Sequence, residues 1–137
     1  MESRHEMVIV RLWSGQMMVV LDTNFLTLPT QFKIDIFGEI KDRIPDAEFT
    51  TIHQVEKELE RRGKEGKVSL AMLKKFNVRI VSEGGETDDA LLSLALRNKG
   101  MLCTNDRELK KRALGKRVPV MFMRKKKILE IMGGLDV

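Results

Sequence analysis

The 137-residue chain has a single cysteine, Cys103, set inside an apolar run, and so has neither a disulfide framework nor a cysteine-based zinc site. It also has no apolar stretch near the ~18 residues of a membrane span. The charged opening Met1-Glu2-Ser3-Arg4-His5-Glu6 does not read as a signal peptide. No internal repeat or low-complexity linker divides the chain. These absences leave one domain, expected in a reducing cytoplasmic setting with no membrane partner, and long enough to bury a core without covalent staples.

Apolar residues make up 42% of the chain and charged residues 33%, a globular rather than disordered balance. The formal net charge is +5, and the excess is concentrated near the end of the chain. Between Arg107 and Lys127, ten basic residues (Arg107, Lys110, Lys111, Arg112, Lys116, Arg117, Arg124, Lys125, Lys126 and Lys127) stand against one acid, Glu108. A phosphate backbone is the natural partner of such a surface, and a solvated face is the plain alternative.

Apolar runs and punctuation predict strands alternating with helices. Strands are expected at 17–21, 49–52, 78–81, 101–103 and 118–123. Helices are expected at about 32–44, 54–62, 68–76, 88–99 and 106–114, the first stopping before Pro45. This alternation implies an α/β fold with a central parallel sheet covered on both faces. Residues 1–16 read as a leader to a domain spanning 17–137. Within it, 7–13 could add a strand, and Met7, Met17 and Met18 are rival starting points.

Four acids fall where strands end and helices begin: Asp22, Glu58, Asp88 and Asp106. Asp22 and Asp106 follow apolar runs and so sit at the carboxyl ends of strands, the edge where open α/β sheets bind ligands. Each acid alone has a structural explanation, since Asp at a helix start caps it and favours its dipole, and Asn105 with Glu108 resembles a capping box. At 100° per residue Asp88 continues the stripe of Leu91, Leu92 and Ala95, while Asp89 turns about 100° away. Helical phase leaves Glu56 and Glu58 undistinguished. Like charges about 5 Å apart repel by roughly 3 kcal/mol at an effective dielectric near 20, so several carboxylates at one edge call for a cation. All-oxygen donors select a hard ion, Mg²⁺ or Mn²⁺, which suits phosphodiester hydrolysis.

Leu21-Asp22-Thr23-Asn24-Phe25, Glu58-Leu59, Asp88-Asp89-Ala90-Leu91 and Thr104-Asn105-Asp106-Arg107-Glu108-Leu109, in that order, resemble the motifs of the PIN-domain ribonucleases. The resemblance runs from about Met17 to Met123. It implies a three-layer Rossmann-like fold, dependence on Mg²⁺ or Mn²⁺, and cleavage of single-stranded RNA to 5′-phosphate and 3′-hydroxyl ends. By the same analogy Glu58 is chosen over Glu56. Asp22, Asp88 and Asp106 would ligate the metal, Glu58 would complete the acidic pocket, and Thr104 would steady Asp22 or a water. Asn24 and Asn105 would hold the turns, and Asp89 would support Asp88 or replace it as ligand.

The order of these motifs is most similar to the archaeal and eukaryotic ribosomal-RNA processing branch, with pre-ribosomal RNA as substrate. A toxin-type ribonuclease and a non-catalytic RNA-binding or assembly module are the alternatives, and a homodimer is left open. An Asp-nucleophile phosphatase fits poorly because Asp22-Thr23-Asn24 lacks the second Asp of D-x-D. A receiver domain fits poorly because the adjacent acid pair is missing.

Overall fold

A computed structural model describes residues 16–125 and 127–133. The expected leader lies outside the described residues except for Gln16. Six strands form one sheet: β1 (Met17–Leu21), β2 (Ala47–Ile52), β3 (Arg79–Val81), β4 (Met101–Cys103), β5 (Val120–Arg124) and β6 (Ile128–Met132). Seven helices connect them: α1 (Thr23–Leu26), α2 (Leu28–Phe32), α3 (Ile36–Arg43), α4 (His53–Glu60), α5 (Gly63–Lys75), α6 (Thr87–Arg97) and α7 (Arg107–Gly115). The architecture is the expected α/β type, a mostly parallel sheet with helices on both sides.

Strand order is β3-β2-β1-β4-β5-β6. The chain builds outward from β1 through β2 to β3, then crosses back and lays β4 against the other side of β1. Val19, Val20 and Leu21 pair in parallel with Met101, Leu102 and Cys103. All six are fully buried, which explains their unbroken apolar run, since a central parallel strand has both faces covered. The reversal of direction between β1 and β4 is a topological switch point, and the loops leaving both strands open at the same edge.

α1 and most of α2 were not expected from the sequence, and three further details differ from its expectation. The helix expected over 32–44 is shorter: α2 ends at Phe32, with Lys33 after it in the left-handed region (φ 54°), and α3 starts only at Ile36, with Asp35 capping it by accepting from the Gly38 N–H at 3.0 Å. Phe32, expected on the buried stripe, is consequently exposed. The helix expected at 68–76 begins five residues earlier, at Gly63. Finally, β6 was not expected, and it pairs antiparallel with β5, so the sheet is not wholly parallel.

Candidate active site

Asp22 follows β1 directly, and its N–H donates to the Cys103 carbonyl at 3.0 Å, extending the β1–β4 ladder by one rung. That rung sets Asp22 beside Thr104. The Thr104 hydroxyl donates to Asp22 Oδ2 at 2.6 Å and accepts from the Asp106 N–H at 3.0 Å, so one buried side chain ties the loops after β1 and β4 together. Asn24 Oδ1 accepts from the Asn105 N–H at 3.0 Å, and Asn105 Oδ1 accepts from the Met123 N–H at 2.8 Å, which extends the tie to β5. Both asparagine side chains therefore accept a backbone N–H from a neighbouring segment.

Asp22 Oδ1 accepts from the Thr23 N–H at 2.7 Å and caps α1, and Asp106 Oδ1 accepts from the Leu109 N–H at 2.9 Å and caps α7. The capping explanation thus holds for one oxygen of each, with Asp106 rather than Asn105 in the capping position of α7. Asp88 makes no such cap, because α6 is preceded by Glu86, which has no side-chain capping bond. Asp88 is half-buried, whereas Asp89 is exposed and pairs with Arg112 at 2.6 Å. The two side chains thus differ in burial.

Glu58 Oε1 accepts from the Thr23 hydroxyl at 3.0 Å, next to Asp22, while its Oε2 pairs with Arg62 at 2.8 Å. Glu56 faces elsewhere. It contacts His53 at 3.4 Å and lines a separate cavity of about 490 Å³ with Glu60, Leu73 and Ile80. The two glutamates thus have different neighbours, a difference that helical phase did not reveal.

The acids feel one another. Burial pushes the Asp22 carboxyl up from 3.8 to about 6, against the pull of its hydrogen bonds from Thr104 and Thr23 and with added repulsion from Asp88 and Asp106. Asp88 is also raised, first by burial and then by the Asp106 charge, with Arg112 opposing and Asp89 and Glu58 adding smaller repulsions. Cys103 is fully buried and its thiol is pushed far up, so it is no nucleophile here.

The donors suit a hard cation in kind, since all are carboxylate oxygens. Among the described residues, however, no three His, Cys, Asp or Glu side chains are grouped closely enough to hold an ion as placed. Mutual charge repulsion is longer-ranged than ligation, so the two observations describe different distances. Mg²⁺ keeps most of its waters and needs only one or two direct carboxylates. The site fits a hydrated ion better than a closed protein cage.

Thr23 and Arg62 were missed in the sequence. Only the i, i+4 spacing of Glu58 and Arg62 could have signalled the second. Of the basic segment, Arg112 pairs with Asp89, Arg124 pairs with Glu130 at 2.6 Å, and Lys110 sits 3.9 Å over the Phe122 ring. Arg107, Lys111, Lys116, Arg117, Lys125 and Lys127 are exposed, and Lys126 lies outside the described residues.

Replacing Thr104 by Val keeps the shape and removes the tie. We expect a loss of about 1–3 kcal/mol, because Asp22 Oδ2 and the Asp106 N–H both lose a partner in a buried place. A denaturant titration measures it, and an unchanged midpoint would show that the two loops hold their geometry without the hydroxyl.

The family described as PIN like domain matches residues 19–126, and the chain belongs to it. Ribonuclease VapC4 of Methanocaldococcus jannaschii is 35% identical over 126 residues, covering 84% of this chain and 96% of that protein. Ribonuclease VapC9 of Archaeoglobus fulgidus is 32% identical over 116 residues, covering 79% of this chain and 84% of that one. Among solved structures, the PIN domain endonuclease Utp24 superposes with a TM-score of 0.73 at 24% identity, over 85% of this chain and 91% of that one, a likeness of fold.

Proposed function

We propose that this protein is a Mg²⁺- or Mn²⁺-dependent endoribonuclease acting on single-stranded RNA, with its catalytic centre formed by Asp22, Glu58, Asp88 and Asp106. The observation that carries the reading is the tie between Asp22 and Asp106 through Thr104 at the β1–β4 switch point, with Asp88 close enough to raise Asp22. Two curated relatives named ribonucleases, matched over most of their length, support it.

Asp22, Asp88 and Asp106 would hold the ion, directly or through its waters. Once bound, the ion would polarise the phosphodiester and ease deprotonation of water at neutral pH. Glu58, steadied by Thr23 and Arg62, would orient the attacking water as a hydrogen-bond acceptor. Thr104 fixes Asp22 so that one oxygen keeps its place while the other caps α1. Breaking the bond from phosphorus to the 3′ oxygen leaves a 3′-hydroxyl on one fragment and a 5′-phosphate on the other. Arg107, Lys111, Lys116, Arg117, Lys125 and Lys127 would follow the phosphate backbone.

The names of the curated relatives favour a VapC-like, toxin-type role over ribosomal-RNA processing. The processing reading rests on motif order, and the Utp24 likeness adds fold alone.

The test is incubation of the purified chain with end-labelled single-stranded RNAs of varied sequence, with Mn²⁺ or with EDTA. Metal-dependent cuts leaving 5′-phosphate ends are expected. No cutting of any RNA with Mn²⁺ would favour the non-catalytic RNA-binding module.

A further inference from the structure

The centre carries four acids, and an RNA strand must bring its own negative phosphates against them. Each flank of the acidic centre holds an arginine. On the α6–α7 side Arg112 pairs with Asp89 at 2.6 Å, and on the α4 side Arg62 pairs with Glu58 at 2.8 Å. Arg62 lies outside the basic run at the end of the chain, so charge density alone does not single it out.

Its bonds do. Asp22 Oδ1 accepts from the Thr23 N–H at 2.7 Å, the Thr23 hydroxyl donates to Glu58 Oε1 at 3.0 Å, and Glu58 Oε2 accepts from Arg62 Nη2 at 2.8 Å. The guanidinium is therefore three hydrogen bonds from Asp22, along a path through Thr23 and Glu58. Nη1 forms a looser ion pair with Glu65 Oε1 at 3.7 Å, too long for a hydrogen bond, and Glu65 turns its other oxygen to Gln31 at 3.0 Å. Arg62 thus spends one of its five N–H groups on the cluster while 35% of its side chain faces solvent. A planar fork held at one tooth is preorganised to take a phosphate with the others. An exposed i, i+4 pair contributes little to stability, so helix support is a weak account of this arrangement.

We propose that Arg62 contacts an RNA phosphate on the α4 flank of the centre, with Glu58 as its anchor. This inference rests on the ribonuclease reading, and it makes Arg62 a substrate-binding residue that the basic C-terminal segment does not include.

The test is fluorescence anisotropy of a 5′-fluorescein single-stranded RNA 12-mer bound by the full chain in EDTA, titrated between 50 and 200 mM KCl. Each phosphate contact on a single strand contributes about 0.7 to the slope of log affinity against log salt. Arg62→Gln is expected to lessen the slope by about that amount. Arg62→Lys, which keeps the charge and loses the fork, should hold the slope and weaken binding roughly two- to five-fold. Arg61→Gln makes the same charge change one residue away, at a side chain with no hydrogen bond to the cluster acids, and should leave the slope unchanged. Thermal melts of all three establish that they fold, and Arg62→Lys decides the matter if Arg62→Gln does not.

An unchanged slope in Arg62→Gln, or an unchanged affinity in Arg62→Lys, overturns the assignment and leaves the ribonuclease reading standing. Equal slope losses in Arg61→Gln and Arg62→Gln also overturn it, because general charge would then be the cause. Absence of RNA binding by the unaltered chain overturns the Arg62 assignment, while the cleavage assay with Mn²⁺ decides the ribonuclease reading separately.

Discussion

Asp22→Asn is expected to abolish metal-dependent RNA cleavage and, without metal, to make the protein more stable. The amide is nearly isosteric and keeps a carbonyl oxygen to accept from Thr104 or the Thr23 N–H, while removing one charge from a buried, mutually repelling set. The folded Asp22 carboxyl titrates near 6 against 3.8 in the unfolded chain, so the folded state binds the extra proton between those values. Its stabilising contribution is therefore present below pH 3.8 and lost as pH rises through about 6. Above that, the ionised carboxylate costs about 3 kcal/mol, from a shift of roughly two units at 1.36 kcal/mol each. The variant should recover part of this at pH 7.5 and should lose the corresponding slope of stability between pH 4 and 6.

A purely structural Asp22 predicts the opposite sign, because its two charge-assisted hydrogen bonds would weaken in the amide. Thermal melts in EDTA across pH, run beside the cleavage assay, separate the cases. A variant that cuts RNA at the wild-type rate would falsify the assigned role. With metal the order of stability should reverse, since an ion binding only the native wild type stabilises it by mass action.

Gly66→Ala is expected to cost about 3 kcal/mol, near the upper end for overpacking, because the side chain has nowhere to go. Gly66 lies in the first turn of α5 and faces the end of α4, where an added Cβ would run into the Leu59 carbonyl, which is backbone and cannot swing aside. The α4–α5 joint must open, and α4 carries Glu58 and ends one residue before Arg61 and Arg62. Cleavage should therefore fall with stability, chiefly through Glu58. Gly84→Ala, where an added Cβ meets nothing, is the matched control and should be close to neutral in the same denaturant titration. Equal midpoints for the two variants would mean that the helices are not packed this closely.

The parallel core was legible because β1 and β4 are short, fully apolar and closed by polar residues at the sheet edge, a pattern that only a strand buried on both faces requires. Asp88 was separable from Asp89 because helical phase is a local property. The tie from Thr104 to Asp22 spans 82 positions and exists only because β4 returns to lie beside β1, which no local window reveals. Thr23 and Arg62 were invisible for the same reason, since both act through Glu58 on a helix that had to be placed first. The break between α2 and α3 was hidden by a competing signal. Phe32 and Ile34 extend the apolar spacing of Ile36, Phe37 and Ile40, and the Asp35 cap overrides it. β6 was hidden because Ile128-Leu129-Glu130-Ile131-Met132 follows a basic run, where five residues cannot distinguish a strand period from a helix period.

The central claim, that these carboxylates share a divalent cation, is tested most directly by an anomalous difference map from crystals soaked in Mn²⁺ at neutral pH, above the titration of Asp22. The account predicts one dominant peak at the β1–β4 edge, beside Asp22, Asp88 and Asp106, and its loss in Asp22→Asn. A map with no peak there at saturating Mn²⁺, or an equal peak in the Asn variant, would contradict it.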